Sequence, residues 1–358
     1  MKVLLVRLRE IGDVVFTTPA VRAIRLRFPD ARLAYVVEPA AAPVVAGNPH
    51  LDDVIVAAKS GLAADLALGR RLKRERFDLA IDFHGGPRAS LLTWLSRAPR
   101  RIGYDVPGRA WMYTERVARP RHLRPRHSVV NQWDLLAPLG IDPPSPSANP
   151  VDIPVDPAAA AAVDARLAAA GVGPDDRVIV VHVSAGNPFR RWPPAHFAAL
   201  AAALAAGEPR RRLVFTSGPA ERDAEARIAA DARQALPADA RHRIVSCGGF
   251  TLAELRALVD RAALYIGGDS GPLHIAAASR VPIVGLYGPT LPSRSEPWRD
   301  PRLVAEAVEV AGLPCRPCDQ RVCAPGDFRC LTTLSAEAVA EAAERALARG
   351  ADAAGGAE

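Results

Sequence analysis

Nowhere in these 358 residues do about 18 apolar residues run together, the length a bilayer core demands, so no membrane-spanning helix is expected. The opening MKVLLVRLREIGD is too short, and too soon broken by charge, for a secretory signal. It reads as a first buried strand, and a cytoplasmic protein is expected. That strand leads into Arg9-Glu10-Ile11-Gly12-Asp13 rather than G-x-G-x-x-G, which argues against a dinucleotide-dependent oxidoreductase. Aromatic residues make up only 5% and are not interleaved with the basic ones, and no nucleic-acid module signature is present, so no nucleic-acid partner is expected.

What is present is a chain of two-domain length with 49% hydrophobic residues, enough for two cores. Its 46 basic and 39 acidic residues give +7 at pH 7. The excess clusters at Arg97, Arg100 and Arg101, and again at Arg116, Arg119, Arg121, Arg124 and Arg126 with His122 and His127. Such a run is either a solvated loop or a surface for an acidic partner such as anionic lipid or lipid phosphate.

Short apolar runs alternate with helical patterns. Strands are expected at Val3–Val6, Leu33–Val37, Val54–Ala57 and Leu79–Phe83, with helices near Pro19–Phe28, Leu62–Glu75, Ala89–Ser96 and Val129–Leu139. Residues 141–157, IDPPSPSANPVDIPVDP, are dense in proline and read as a semi-stiff connection. The rhythm then restarts, with strands at Val178–Val183, Leu213–Thr216, Ile244–Cys247, Leu264–Gly267 and Ile283–Leu286. Helices are expected near Ala158–Ala170, Pro194–Ala206, Ala220–Ala232 and Leu252–Asp260, and a last one from about Ser335 to Ala348, before a disordered tail. The fold class is α/β: two Rossmann-like parallel domains, 1–155 and 156–335, facing a cleft, followed by residues 336–358. Ligands in such sheets sit outside the carboxyl ends of the strands.

One stretch carries most of the chemistry. LYIGGDSGPLHIAAASRVPIVGLYGP, from Leu264 to Pro289, reads as strand, small-residue turn, short helix and strand. Gly267, Gly268 and Gly271 let backbone approach a ligand, and Pro272 suits a first helical turn. Asp269, Ser270 and His274 add hydrogen-bonding groups. The design suits a phosphate or pyrophosphate. After the strand ending at Val183, Ser184 to Trp192 supply small polar groups, and Arg190 and Arg191 can offset diphosphate charge. Glu221, after Thr216-Ser217-Gly218-Pro219-Ala220, opens a helix favourably or meets a ligand. Asp13 falls at the start of a helix, where a cap is the simple reading. Asp82 to Arg88 sits at another strand end, where a lone histidine such as His84 is usually structural.

The Asp269-Ser270-Gly271 string with His274 and an alanine-rich helix resembles the donor-site motif of the bacterial heptosyltransferases, glycosyltransferase family 9. The likeness runs from Met1 to about Ala336 and includes Gly12-Asp13-Val14 followed by Thr18-Pro19. It implies the GT-B fold, with a first domain that binds the acceptor, a second that binds the nucleotide sugar, and a last helix crossing back to the first. It implies inverting transfer of heptose from ADP-L-glycero-D-manno-heptose to a Kdo- or heptose-bearing lipopolysaccharide core, with Asp13 as general base. Arg190 would meet charge on the leaving group, where the family usually has Lys. Ser184, Glu221, Asp269, Ser270, Gly271 and His274 would hold the donor, and His84 and Arg88 the acceptor. The acceptor is an anionic glycolipid, so peripheral contact with the inner membrane surface is expected, with the Arg116–Arg126 segment against it. No Asp-x-Asp motif lies near the donor string, and no cofactor is expected for catalysis.

Two other readings use the same architecture: a family member with another nucleotide sugar or acceptor, and a sugar-nucleotide epimerase. Cys315, Cys318, Cys323 and Cys330 form C-x₂-C-x₄-C-x₆-C, with Cys247 apart. They read as a structural zinc site, free thiols or disulfides.

Overall fold

Strands whose residues are apolar on both faces belong inside a parallel sheet covered by helices. Val3, Leu4, Leu5 and Val6 are each fully buried, as are Ile179, Val180 and Val181 in the second half. The computed structural model describes residues 1–57, 61–119 and 126–355. These form two units: Met1–Pro154 with Trp298–Asp300, and Val155–Pro297 with Pro301–Glu358.

The first unit contains a six-stranded parallel sheet built from β1 (Lys2–Val6), β2 (Arg32–Val37), β3 (Asp53–Val56), β4 (Leu79–Asp82), β5 (Arg100–Asp105) and β6 (Glu115–Ala118). Their order is β3-β2-β1-β4-β5-β6. On one face, Leu4, Val6, Val36 and Ala80 pack with Leu72 of the helix Leu62–Glu75 and Leu92 of the helix Pro87–Leu95. These two helices touch where Gly69 leaves no room: a Cβ there would lie 2.6 Å from Leu95 Cδ1.

The second unit repeats the plan with β7 (Arg177–His182), β8 (Arg211–Thr216), β9 (Ile244–Val245), β10 (Ala262–Gly268), β11 (Ile283–Tyr287) and β12 (Ala305–Glu309), in the order β12-β11-β10-β7-β8-β9. In each sheet the strand order reverses at one place, between β1 and β4 and between β7 and β10. Ligands of open α/β sheets sit at such points.

Three strands escaped the sequence pattern. RRIGYD, ERVA and AEAVE (β5, β6, β12) lie towards sheet edges and mix charged residues with apolar ones. The expected helix Val129–Leu139 is an α-helix, Ser128–Trp133, that tightens to 3₁₀ over Asp134–Leu139, which contains Pro138. The chain divides at Pro154/Val155, but Trp298 belongs with the first unit: its carbonyl accepts from Val151 N–H at 3.1 Å, and its indole donates to Asn149 O at 2.6 Å. The last helix, Ala336–Gly355, was expected to cross back to the first domain. It packs instead into the second unit's core through Val339, Ala342, Ala343 and Ala346, among Leu200, Leu204 and Leu264. Among the described residues no helix is long and apolar enough to cross a membrane.

Candidate functional site

In the second unit, β10 delivers Asp269 to the sheet's reversal point, and Ser270 caps the short helix Gly271–Ala276. Gly268 is needed for approach: a Cβ there would lie 3.3 Å from the carbonyl oxygen of Arg190. Asp269 is 2% exposed, yet well partnered. Its Oδ2 accepts from Thr290 Oγ1 at 2.5 Å and faces Arg190 Nη1 at 3.3 Å. Arg190 Nη1 also donates to its backbone carbonyl at 3.1 Å, while Arg190 Nε donates to Gln320 at 2.7 Å. His274 Nε2 stands 3.5 Å from Oδ1. Burial alone would push the Asp269 carboxyl up. His274, Arg190 and the Thr290 hydroxyl outweigh it and hold the group at about 2.

Two features of this cluster face outward chemically. Ser270 Oγ is buried with no hydrogen-bond partner among the described residues. Arg190 uses Nε and Nη1 internally, which leaves its Nη2 protons for a ligand. The helix itself offers little: it has six residues, Pro272 lacks an N–H, and Leu273 N–H already binds Ser270 O at 3.1 Å. Of its first three positions only the Gly271 N–H remains. Positive charge for an anion therefore comes chiefly from the Arg190 side chain.

A second group lies at the end of the neighbouring strand β7, whose His182 is level with Gly267 of β10. His182 bonds Thr216 Oγ1 at 2.9 Å and Ser184 Oγ at 3.1 Å, and burial pushes its pKa down to about 4. Ser184 Oγ accepts the Gly218 N–H at 2.9 Å, tying the β7 and β8 loops together. Glu221 pairs with Arg191 Nε at 2.8 Å, and Arg191 also binds Ala185 O at 2.9 Å. Ser184 and Glu221 are thus engaged with protein groups. Trp192 is a packing residue, 2% exposed.

The four cysteines line a cavity of about 250 Å³ with Phe189, Pro289 and Phe328. All are free thiols, so the disulfide reading is set aside. The donor set suits zinc chemically, but among the described residues no three His, Cys, Asp or Glu side chains converge on a metal position, so a structural zinc is not supported. The segment has a visible mechanical part. Cys318 N–H binds Pro289 O at 3.1 Å, Arg316 binds Thr290 O at 2.6 Å, and Gln320 holds both Asn187 (2.9 Å) and Arg190.

In the first unit, Asp13 lies on the helix Ile11–Val15, which follows β1. It is not the cap, a position held by Glu10 without a side-chain bond. Asp13 Oδ2 forms an ion pair with Arg7 Nη2, and Arg7 Nη1 donates to Phe83 O at 2.8 Å. Arg7 thus spans the ends of β1 and β4 and holds one carboxylate oxygen, while the Asp13 side chain stays 37% exposed. His84 follows β4. Burial first, then the charges of Arg7 and Arg9, push its pKa down to about 4. Fully buried Asp82 shapes this turn by accepting from the N–H groups of His84 (2.9 Å) and Gly85 (2.8 Å) and from Tyr113 OH (2.7 Å). Arg88 is not free: it pairs with Glu38 at 2.9 Å and Asp65 at 2.8 Å.

The basic clusters are also partly spent. Arg126 grips Asp134 at 2.8 and 3.1 Å, Arg100 pairs with Glu115, and Arg119 lies over Tyr104. His127 is buried and caps the helix Ser128–Trp133. Arg121, His122 and Arg124 lie outside the described residues. Sequence reasoning missed Arg7, Asp82, Thr290 and Gln320. Thr290 had a weak signal, a polar residue just past a buried strand; Gln320 had none.

Two Rossmann-like units, each with charged and polar side chains at the reversal point of its sheet, define a two-domain α/β enzyme of the GT-B glycosyltransferase class. The family model described as glycosyltransferase family 9 (heptosyltransferase) matches residues 66–327, well over half of the chain, and the chain belongs to that family. Lipopolysaccharide heptosyltransferase 3 of Escherichia coli is 28% identical over 320 residues, covering 87% of this chain and 89% of that protein. A family 9 glycosyl transferase from Veillonella parvula shares the fold with TM-score 0.80 at 24% identity, over 97% of both chains. The E. coli ADP-heptose lipopolysaccharide heptosyltransferase II does so with TM-score 0.77 at 20% identity, over 98% of this chain and 99% of that one. The protein is a glycosyltransferase.

Proposed function

We propose that this enzyme moves heptose from ADP-L-glycero-D-manno-heptose to a Kdo- or heptose-bearing lipopolysaccharide core, with inversion at the anomeric carbon. The observation that carries the reading is the cluster of Arg190 with the buried Asp269 and His274, beside a Ser270 hydroxyl that has no hydrogen-bond partner among the described residues, in a chain of this family. The cluster suits a diphosphate but does not choose a sugar. Heptose and the lipopolysaccharide acceptor rest on the names of the relatives. A member using another nucleotide sugar or acceptor is the alternative.

In the proposed step, the Asp13 carboxylate oxygen not held by Arg7 accepts the proton of an acceptor hydroxyl. The hydroxyl oxygen bonds to the anomeric carbon as the bond from that carbon to the diphosphate breaks. The electron pair leaves on the diphosphate oxygen. Arg190 Nη2, the Ser270 hydroxyl and the Gly271 N–H meet that charge; such preorganised donors are typically worth about 10²- to 10³-fold each. Proton transfer to a placed base typically adds about 10²- to 10⁴-fold. This chain's own cations supply the counter-charge, so the proposed step draws on no cofactor. Donor binding is assigned to the second unit and acceptor binding, with Asp13 and His84, to the first. Arg88 serves the acceptor side by fixing Glu38 and Asp65 rather than by offering free charge.

The test is transfer by the purified protein from ADP-heptose and a panel of other nucleotide sugars to Kdo-bearing lipid A, read by mass spectrometry of the lipid. A heptose increment from ADP-heptose, lost in Asp13→Asn, is expected. An increment only from another donor would replace the heptose assignment.

A further inference from the structure

The helix Leu62–Glu75 of the first unit has an outer face the transfer chemistry does not use. Its inner side is fixed by Gly69 and Leu72, both buried against the unit's core. Its two acids face protein partners: Asp65 pairs with Arg88, and Glu75 lies 3.9 Å from Lys2. What remains outward is Leu62, Ala63, Leu66 and Ala67 along the first half, then Arg70, Lys73 and Arg74 along the second, beside Arg71, which lies 3.9 Å from Asp53. Spacings of three and four residues put these on one stripe. Leu62 is 68% exposed. Among the described residues Arg70, Lys73 and Arg74 make no ion pair.

The neighbouring helix Pro87–Leu95 continues the surface. Its Trp94 meets Trp111 edge to face, ring centroids 5.6 Å apart, and Arg97 lies 4.2 Å over the Trp94 ring. Trp111 is 57% exposed. Tryptophan with one polar end, flanked by cations and leucine, is the composition that settles at the headgroup boundary of a bilayer.

We infer that this face, formed by Leu62, Leu66, Arg70, Lys73, Arg74 and Trp111, docks the enzyme on an anionic lipid bilayer. The cations meet headgroup phosphates, and the leucines and Trp111 enter the interface. The occupant is chosen by charge complementarity: the stripe carries three unpaired cations and no acid. The surface differs from the Arg116–Arg126 segment expected from sequence, where Arg126 is already committed to Asp134. The inference does not depend on which sugar is transferred.

The experiment is flotation of the full-length protein with vesicles of phosphatidylcholine alone and of phosphatidylcholine mixed with phosphatidylglycerol. Binding is expected to the mixed vesicles only, weakening as salt is raised. The triple change Arg70→Gln, Lys73→Gln, Arg74→Gln should lower the affinity roughly 100-fold, at about fivefold per cation. Trp111→Phe should remove most of the blue shift of tryptophan fluorescence on binding. Both variants should keep the wild-type melting midpoint and transfer to a detergent-dispersed acceptor, which separates this surface from the reaction. Wild-type flotation of the triple variant, or no flotation of the wild type with anionic vesicles, would overturn the inference.

Discussion

Arg190 takes hold of Asp269 twice, at the backbone carbonyl (3.1 Å) and at the carboxylate Oδ2 (3.3 Å), across 79 residues of sequence. The guanidinium can do this because Gly268 lets its loop lie against the end of β10, and because Gln320 fixes its Nε. Among the described residues the pair leaves Arg190 Nη2 without a protein partner, and that is the group assigned to the donor diphosphate.

Replacing Arg190 tests the arrangement. Arg190→Ala should lower kcat by about 10²- to 10³-fold. Arg190→Lys should recover part of that loss, because an ammonium keeps the charge but cannot bond Gln320 and Asp269 in one plane while presenting further protons. Steady-state kinetics of the two variants would show the order.

Asp269 should leave a mark on stability. Its pKa is depressed to about 2, so its stabilising contribution is present above the unfolded value of 3.8 and is lost as pH falls through about 2. The shift corresponds to about 2 kcal/mol. Urea unfolding from pH 5 downwards should show the difference between the wild type and Asp269→Asn narrowing towards pH 2.

His84 should be neutral at neutral pH, with a pKa of about 4. Burial is the larger cause, and Arg7 and Arg9 add to it. Arg9→Gln should therefore move the His84 titration upwards, towards its ordinary 6.5, as followed by the imidazole proton shifts in NMR. A His84 titrating near 6.5 in the wild type would contradict this environment.

Gly69 should tolerate no side chain. A Cβ there would come within 2.7 Å of Leu95 Cβ, too near the backbone for a simple rotamer change. Overpacking of about 1–3 kcal/mol, less the helix preference of Ala over Gly of about 1 kcal/mol, predicts a net loss of up to about 2 kcal/mol for Gly69→Ala in chemical denaturation.

Much of this molecule was legible in its sequence where apolar runs are continuous. Val3–Val6, Val178–Val183 and Ile283–Leu286 announce central strands because both faces are buried. The edge-side strands Arg100–Asp105, Glu115–Ala118 and Ala305–Glu309 do not, since half their side chains meet water. Candidate site residues close behind a strand, such as Asp13, Asp269 and Ser270, could be named from their neighbours. Their partners could not. Arg7 with Asp13 is a local pair, but Arg88 is neutralised by Glu38, 50 residues away, and Gln320 reaches Arg190 across 130. Such pairings exist only once the sheets have brought strand ends together. Arg126 also looked available in sequence and is bound in the fold to Asp134, eight residues on.

In the proposed step the second unit would hold the donor, and Asp13 in the first would move a proton. Calorimetric titration of ADP-heptose into the wild type, Asp13→Asn and Arg190→Ala tests that division most directly. The account predicts wild-type affinity for Asp13→Asn and at least about tenfold weaker binding for Arg190→Ala, the loss of a charge-assisted contact of about 1.5–3 kcal/mol. Undiminished binding by Arg190→Ala, or an equal loss in Asp13→Asn, would contradict it.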